Sequence, residues 1–133
     1  MMGGLVLKLR AEERVLVNGA VLEAVARPAR LRVLTTDADI LRLRDAVHPA
    51  RADTPVRRLC HVVQMAVAGA AGTDAALREA RPMIDALRGV FDRPRDRDAL
   101  DAAEHLLAGR RAYAALRALR PLLAREAELM GRA

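Results

Sequence analysis

The chain has 133 residues, 23 lysines and arginines against 17 aspartates and glutamates, a formal charge of +6, no tryptophan and 2% aromatic residues. That length bounds it to one domain or two small subdomains, and a core nearly without aromatics is left to Leu, Val and Ala, which favours helix packing over an aromatic-rich sandwich. No apolar run approaches the roughly 20 residues of a membrane span, and the start lacks the basic region, apolar core and cleavage site of a secretion signal, so the expected location is the cytoplasm.

The first half reads as strands. Short alternating segments cover residues 4–10, 14–18, 20–26, 30–36 and 39–44. Leu5, Leu7 and Leu9 alternate with Val6, Lys8 and Arg10, and Leu41 and Leu43 alternate with Arg42 and Arg44, the period-two pattern of half-buried strands. Asn18-Gly19 separates two of these runs and suits the positive φ of a type I′ hairpin turn. Five such short strands leave exposed edges and bury too little area for independence, which predicts packing on the rest of the chain or a homodimer.

The period changes after Arg44. Residues 45–53, with His48-Pro49, read as a joint. Thr54-Pro55 then opens a first helix with Val56, Leu59, Val63 and Val67 on one face, ended by Gly69. A second helix starts at Thr73 or Asp74 and buries Leu77, Ala80, Ile84, Leu87 and Phe91, and Pro82 is expected to kink or divide it. The charged run 92–98 reads as a solvated loop before a third helix over 98–108, terminated by Gly109. A fourth, over 110–129 and interrupted by Pro121, turns Tyr113, Leu116, Leu119 and Leu123 inward. The expected class is α+β, with a five-stranded antiparallel β part over residues 1–52 and an antiparallel bundle of about four helices over 53–133.

Catalysis is poorly supplied. His48, His61 and His105 lack the spacing of metal ligands, Cys60 is alone on an apolar helix face, and no glycine-rich phosphate loop lies between a strand and a helix. No enzymatic activity, metal or cofactor is expected. The cation excess points instead to a polyanion, whose phosphates release counterions when arginines replace them, although richness in arginine and alanine is equally the coding bias of a GC-rich genome. Arg42 and Arg44, two apart on the last strand, share a face, as do Arg30 and Arg32. Guanidinium planes stack on unpaired bases and fork onto phosphates, which suits single-stranded RNA. The plainer reading has Arg42 and Arg44 solvating an amphipathic strand or pairing with Asp39 and Asp45.

The runs Gly3-Gly4-Leu5-Val6-Leu7-Lys8-Leu9-Arg10, Glu13-Arg14-Val15-Leu16-Val17-Asn18-Gly19-Ala20-Val21, Ile40-Leu41-Arg42-Leu43-Arg44-Asp45-Ala46 and Thr54-Pro55-Val56 resemble the FlbT family of alphaproteobacterial flagellar biosynthesis regulators. The resemblance covers nearly the whole chain. It implies a post-transcriptional repressor, in some relatives an activator, that associates with the 5′ untranslated region of flagellin mRNA and controls its translation and decay.

The order of strands also resembles the carbon storage regulator CsrA, a small intertwined β dimer in which the first strand of one subunit lies beside the fifth of the other and together they bind RNA loops. Carried over, that likeness implies an RNA site at Leu7, Leu9, Arg42 and Arg44, to which Arg10, at the end of the first strand, adds a cation by its position. Leu9-Arg10 stands where the CsrA pattern has paired arginines, and Glu12-Glu13 replaces its Gly-Glu turn, which removes a cation from the site. An alternative from another class is a helical adaptor or chaperone that holds flagellin or a FlaF-like regulator, with indirect effects on the message.

Overall fold

The computed structural model describes residues 5–18, 20–36, 38, 40–42 and 47–131. The chain divides into two compact units, residues 1–46 and 47–133. The first holds five strands, β1 (Leu5–Leu9), β2 (Arg14–Val17), β3 (Ala20–Glu23), β4 (Ala29–Val33) and β5 (Ile40–Arg42), and the second four helices, α1 (Pro55–Val67), α2 (Thr73–Arg88), α3 (Pro94–Ala108) and α4 (Ala112–Leu129). The architecture is the expected α+β arrangement.

The strands do not form one sheet. Antiparallel β1 and β4 make a two-stranded ladder, and β3, β2 and β5, in that order, make a three-stranded antiparallel sheet. The first ladder sets Leu7 opposite Leu31, Lys8 opposite Arg30 and Leu9 opposite Ala29. In the second, Val15 faces Leu22 on one side and Arg42 on the other. Leu7, Leu9, Val15 and Ala24 form a buried cluster, with Val17, Ala29, Val33 and Ile40 packed at its margin. Burying a leucine of this kind contributes roughly 1.5–3 kcal/mol. The turns need left-handed residues: Asn18 has φ 49° between β2 and β3, and Glu12 has φ 65° between β1 and β2. Asparagine tolerates that region because its short amide bonds the local backbone; Gly19, expected beside it, lies outside the described residues.

In the helical unit α1 packs on α2 and α4, and α3 packs on the same two, so the helices close a cycle. Thr54 caps α1, its Oγ1 accepting from Arg57 N at 3.3 Å, and Pro55 occupies the first turn. Both carboxylate oxygens of buried Glu126, on α4, serve the same helix start: Oε1 accepts from Thr54 Oγ1 and Oε2 from Val56 N at 3.0 Å. Residues 47–52, expected to belong with the strands, fall in the helical unit, and Val47 is tied to α1. Gln64 on α1 accepts from Val47 N at 2.7 Å and donates to Val47 O at 2.8 Å.

Several helix limits differ from expectation. Pro82 and Pro121 sit inside continuous helices. Both are exposed, so the carbonyls that lose an N–H donor face water, and a helix held by its packed face tolerates the missing bond. Helix α3 begins at Pro94, earlier than residue 98. The run 92–98 is therefore partly a first helical turn, and Asp96 is buried in an ion pair with Arg125 at 3.2 Å. The left-handed residue that ends α3 is Arg110, φ 62°, while Gly109 keeps a negative φ. Arg111 N bonds Leu106 O at 2.8 Å to complete that stop. Leu122, next to the expected Leu123, takes the fully buried position on α4, and Phe91 is buried just beyond the end of α2.

Candidate nucleic-acid interface

The side chains singled out in the sequence separate into three environments. Leu7 and Leu9 are each 3% exposed, members of the buried cluster. In this conformation their side chains are closed to a ligand, and both residues are paired in the β1–β4 ladder. Arg10 follows β1 and is exposed. Its main-chain N–H donates to Glu13 Oε1 at 2.8 Å, and its guanidinium has no partner among the described residues. Arg44 lies outside the described residues.

Arg42 is not a fully solvated cation. Its side chain is 20% exposed, and Nη1 donates to Glu13 Oε2 at 3.3 Å and to the Lys8 carbonyl at 3.2 Å. Glu13, only 9% exposed at its side chain, thus braces the β1–β2 turn through Arg10 N and holds the β5 arginine. The proposed partners Asp39 and Asp45 lie outside the described residues. Glu13 was missed because strand alternation carries no information on the turn preceding β2; its position three residues after Arg10 was the available signal.

Lys8, Arg30 and Arg32 are exposed on the β1–β4 ladder, and none of their side chains has a hydrogen bond or ion pair among the described residues. The three-stranded sheet differs, with Arg14 paired to its cross-strand neighbour Glu23 at 3.0 Å. In the helical unit, Arg88 binds Asp85, Asp101 and Glu104, and the Glu104 and Asp101 hydrogen bonds hold the guanidinium proton more tightly than usual.

The remaining candidates have structural duties. His48 Nδ1 accepts from Ala50 N at 3.2 Å at the start of a short 3-10 turn, Pro49–Arg51. Among the described residues no group of three or more His, Cys, Asp or Glu is placed to hold a metal ion. Cys60 is buried, and desolvation, reinforced by the Glu126 carboxylate and opposed by Arg120, pushes its thiol up to about 12. An open depression between the start of α3 and the second half of α4 is lined by Pro94, Ala99, Pro121, Leu122 and Arg125. No described helix is long and apolar enough to cross a membrane.

The family model described as "Flagellar protein FlbT" matches residues 5–130, which spans both units. The chain belongs to the FlbT family. It is 32% identical over 124 residues to the probable flagellum biosynthesis repressor protein FlbT of Chelativorans sp. (strain BNC1), covering 93% of this chain and 84% of that protein. The proteins of the same name from Brucella ovis and Brucella anthropi are 35% and 36% identical over 130 residues, each comparison covering 94% of this chain and 81% of the relative. No solved structure matches. Because the FlbT match runs through the helices, the family is defined by both units together, whereas the strand order likened to CsrA concerns only the first.

Proposed function

We propose that this FlbT-family chain is a post-transcriptional regulator of flagellum biogenesis that occupies the 5′ untranslated leader of flagellin mRNA. Occupancy alone suffices for such a role: a bound leader is closed to the ribosome or presented to nucleases, and neither outcome requires chemistry by the protein. The observation that supports the reading is that β1 and β5 each have one strand neighbour among the described residues and so lie at sheet edges, with Arg10 directly after β1 and Arg42 on β5. In this reading Leu7 and Leu9 anchor β1 in the buried cluster and hold the site in place, Arg10 and Arg44 contact RNA, and Arg42 reaches it by exchanging the Glu13 carboxylate for a phosphate.

Two copies pair through their β units. Unpaired strand edges favour strand addition, and Leu5, Val21, Leu22, Val25 and Leu34 leave apolar surface exposed on the same unit. Joining the β1 edge of one copy to the β5 edge of another turns a two-stranded and a three-stranded sheet into one continuous ladder. This closes both edges, which either copy alone leaves open.

The test is a titration of the full-length protein against labelled flagellin leader RNA across salt concentration, with an unrelated leader of equal length as control. The expected result is tighter binding to the flagellin leader at every salt concentration. Equal binding to both leaders would reduce the RNA affinity to the consequence of net charge, and retention of flagellin or a FlaF-like regulator without RNA would favour the adaptor role.

A further inference from the structure

We infer that the outward face of the β1–β4 ladder, carrying Lys8, Arg30 and Arg32, is the surface along which the phosphates of single-stranded RNA run. The inference rests on the RNA-binding reading and deepens it, placing the backbone contacts on a sheet face distinct from the strand edges.

Three observations lead there. Leu7 and Leu9 point into the buried cluster, so alternation turns Val6 and Lys8 to the opposite face. The register sets Lys8 directly opposite Arg30, and Val6 opposite Arg32. Two like charges directly opposite on a ladder repel and destabilise it, and a nearby carboxylate would offset the repulsion.

None is present. Neither β1, LVLKL, nor β4, ARLRV, contains an acid. The acids described in this unit, Glu12, Glu13 and Glu23, stand in the β1–β2 turn and on β3, where Glu13 holds Arg42 and Glu23 holds Arg14. Among the described residues charge is therefore segregated: the three-stranded sheet pairs Arg14 and Arg42 with carboxylates, and the two-stranded ladder leaves its cations unpaired. Among the described residues no acid relieves Lys8 against Arg30, and an anion from outside the chain can do so.

The spacing and the neighbours favour a flexible polyphosphate. Arg30 and Arg32 stand two residues apart along an extended strand, about 7 Å at 3.4 Å per residue, close to the separation of successive phosphates in an unstacked strand. Val6, 38% exposed, lies among the cations, and Leu34, 76% exposed, follows β4. Apolar contacts beside cations give unpaired bases a place to rest, which a duplex with its bases stacked inside cannot use.

The test compares the full-length wild type with the triple variant Lys8→Gln, Arg30→Gln, Arg32→Gln, binding both the flagellin leader and an oligouridine of the same length, from 50 to 300 mM salt. Each lost phosphate contact lowers the salt slope by about 0.7 for a single strand. The triple variant should lose about 2 units of slope and on the order of 100-fold in affinity at 0.1 M salt, on both RNAs. The charge-keeping variant Arg30→Lys with Arg32→Lys should retain the wild-type slope, and Arg30→Gln alone should lower it by about 0.7 if circular dichroism finds the triple variant unfolded. If wild type binds the leader and the neutralised proteins keep its slope, the ladder face is overturned while the regulatory reading stands. A wild type that binds neither RNA overturns both.

Discussion

The helical unit depends on one buried carboxylate, and its removal has a calculable cost. Glu126 on α4 is 7% exposed. It accepts from the Thr54 hydroxyl and, at 3.0 Å, from Val56 N, seventy residues earlier in the chain. Changing Glu126→Ala leaves the Val56 N–H buried without an acceptor, which costs about 1–3 kcal/mol. It also removes a negative charge from the positive end of the α1 dipole, worth roughly 0.3–1 kcal/mol and more when partly buried. The expected loss is about 3 kcal/mol, which for a unit of this size lowers the melting temperature by roughly 15 °C. Glu126→Gln separates the two contributions. Its amide oxygen still accepts from Val56 and its NH2 donates to the Thr54 hydroxyl, so only the charge is lost and the cost should be about 1 kcal/mol. Urea and thermal unfolding followed at 222 nm measure both variants. A Glu126→Ala protein within about 0.5 kcal/mol of wild type, or a Gln variant as unstable as the Ala one, would refute the reasoning.

Cys60 should stay unreactive toward a disulfide reagent at pH 8 until denaturant unfolds the chain, because burial raises its thiol from 9.0 to about 12. The unfolded chain releases that proton first, so the stability it confers is complete below pH 9 and is lost as pH rises toward 12; the difference in unfolding free energy between wild type and Cys60→Ala should narrow from pH 8.5 to 10.5, and parallel profiles would count against it. Glu13→Gln frees the 20%-exposed Arg42 side chain and removes a negative charge, so leader RNA should bind several-fold more tightly at 0.1 M salt, although the β1–β2 turn loses some stability; unchanged affinity in a folded variant would exclude Arg42 from the RNA site. Arg88→Met breaks contacts of 2.6 Å to Asp85 and 2.7 Å to Asp101 and Glu104, but with the arginine side chain 31% exposed solvent screening limits the loss to about 1 kcal/mol, and high salt should erase most of it, as urea titrations at two ionic strengths can measure. Analytical ultracentrifugation at micromolar concentration should show a dimer, and a monomer there would refute the pairing of β1 with β5 of a second copy.

What the sequence determined by itself was local. Period-two leucines from Leu5 to Leu9 and the apolar face from Val56 to Val67 named strands and helices because side-chain direction follows from backbone geometry within a few residues. Thr54-Pro55 announced the start of α1 for the same reason, since capping is a matter of three consecutive residues. The tertiary structure decided whatever depends on partners far apart in the chain: the division of five strands into two sheets, the hold of Glu13 on Arg42, and the reach of Glu126 to Thr54. Pro82 and Pro121 belong with these, since a proline breaks an isolated helix but not one whose opposite face is held by its neighbours. For the candidate site, the sequence supplied the arginines, and only the strand register put Lys8 opposite Arg30, a pair with no acid bonded to it among the described residues, because alternation places a side chain on a face but cannot say which strand lies beside it.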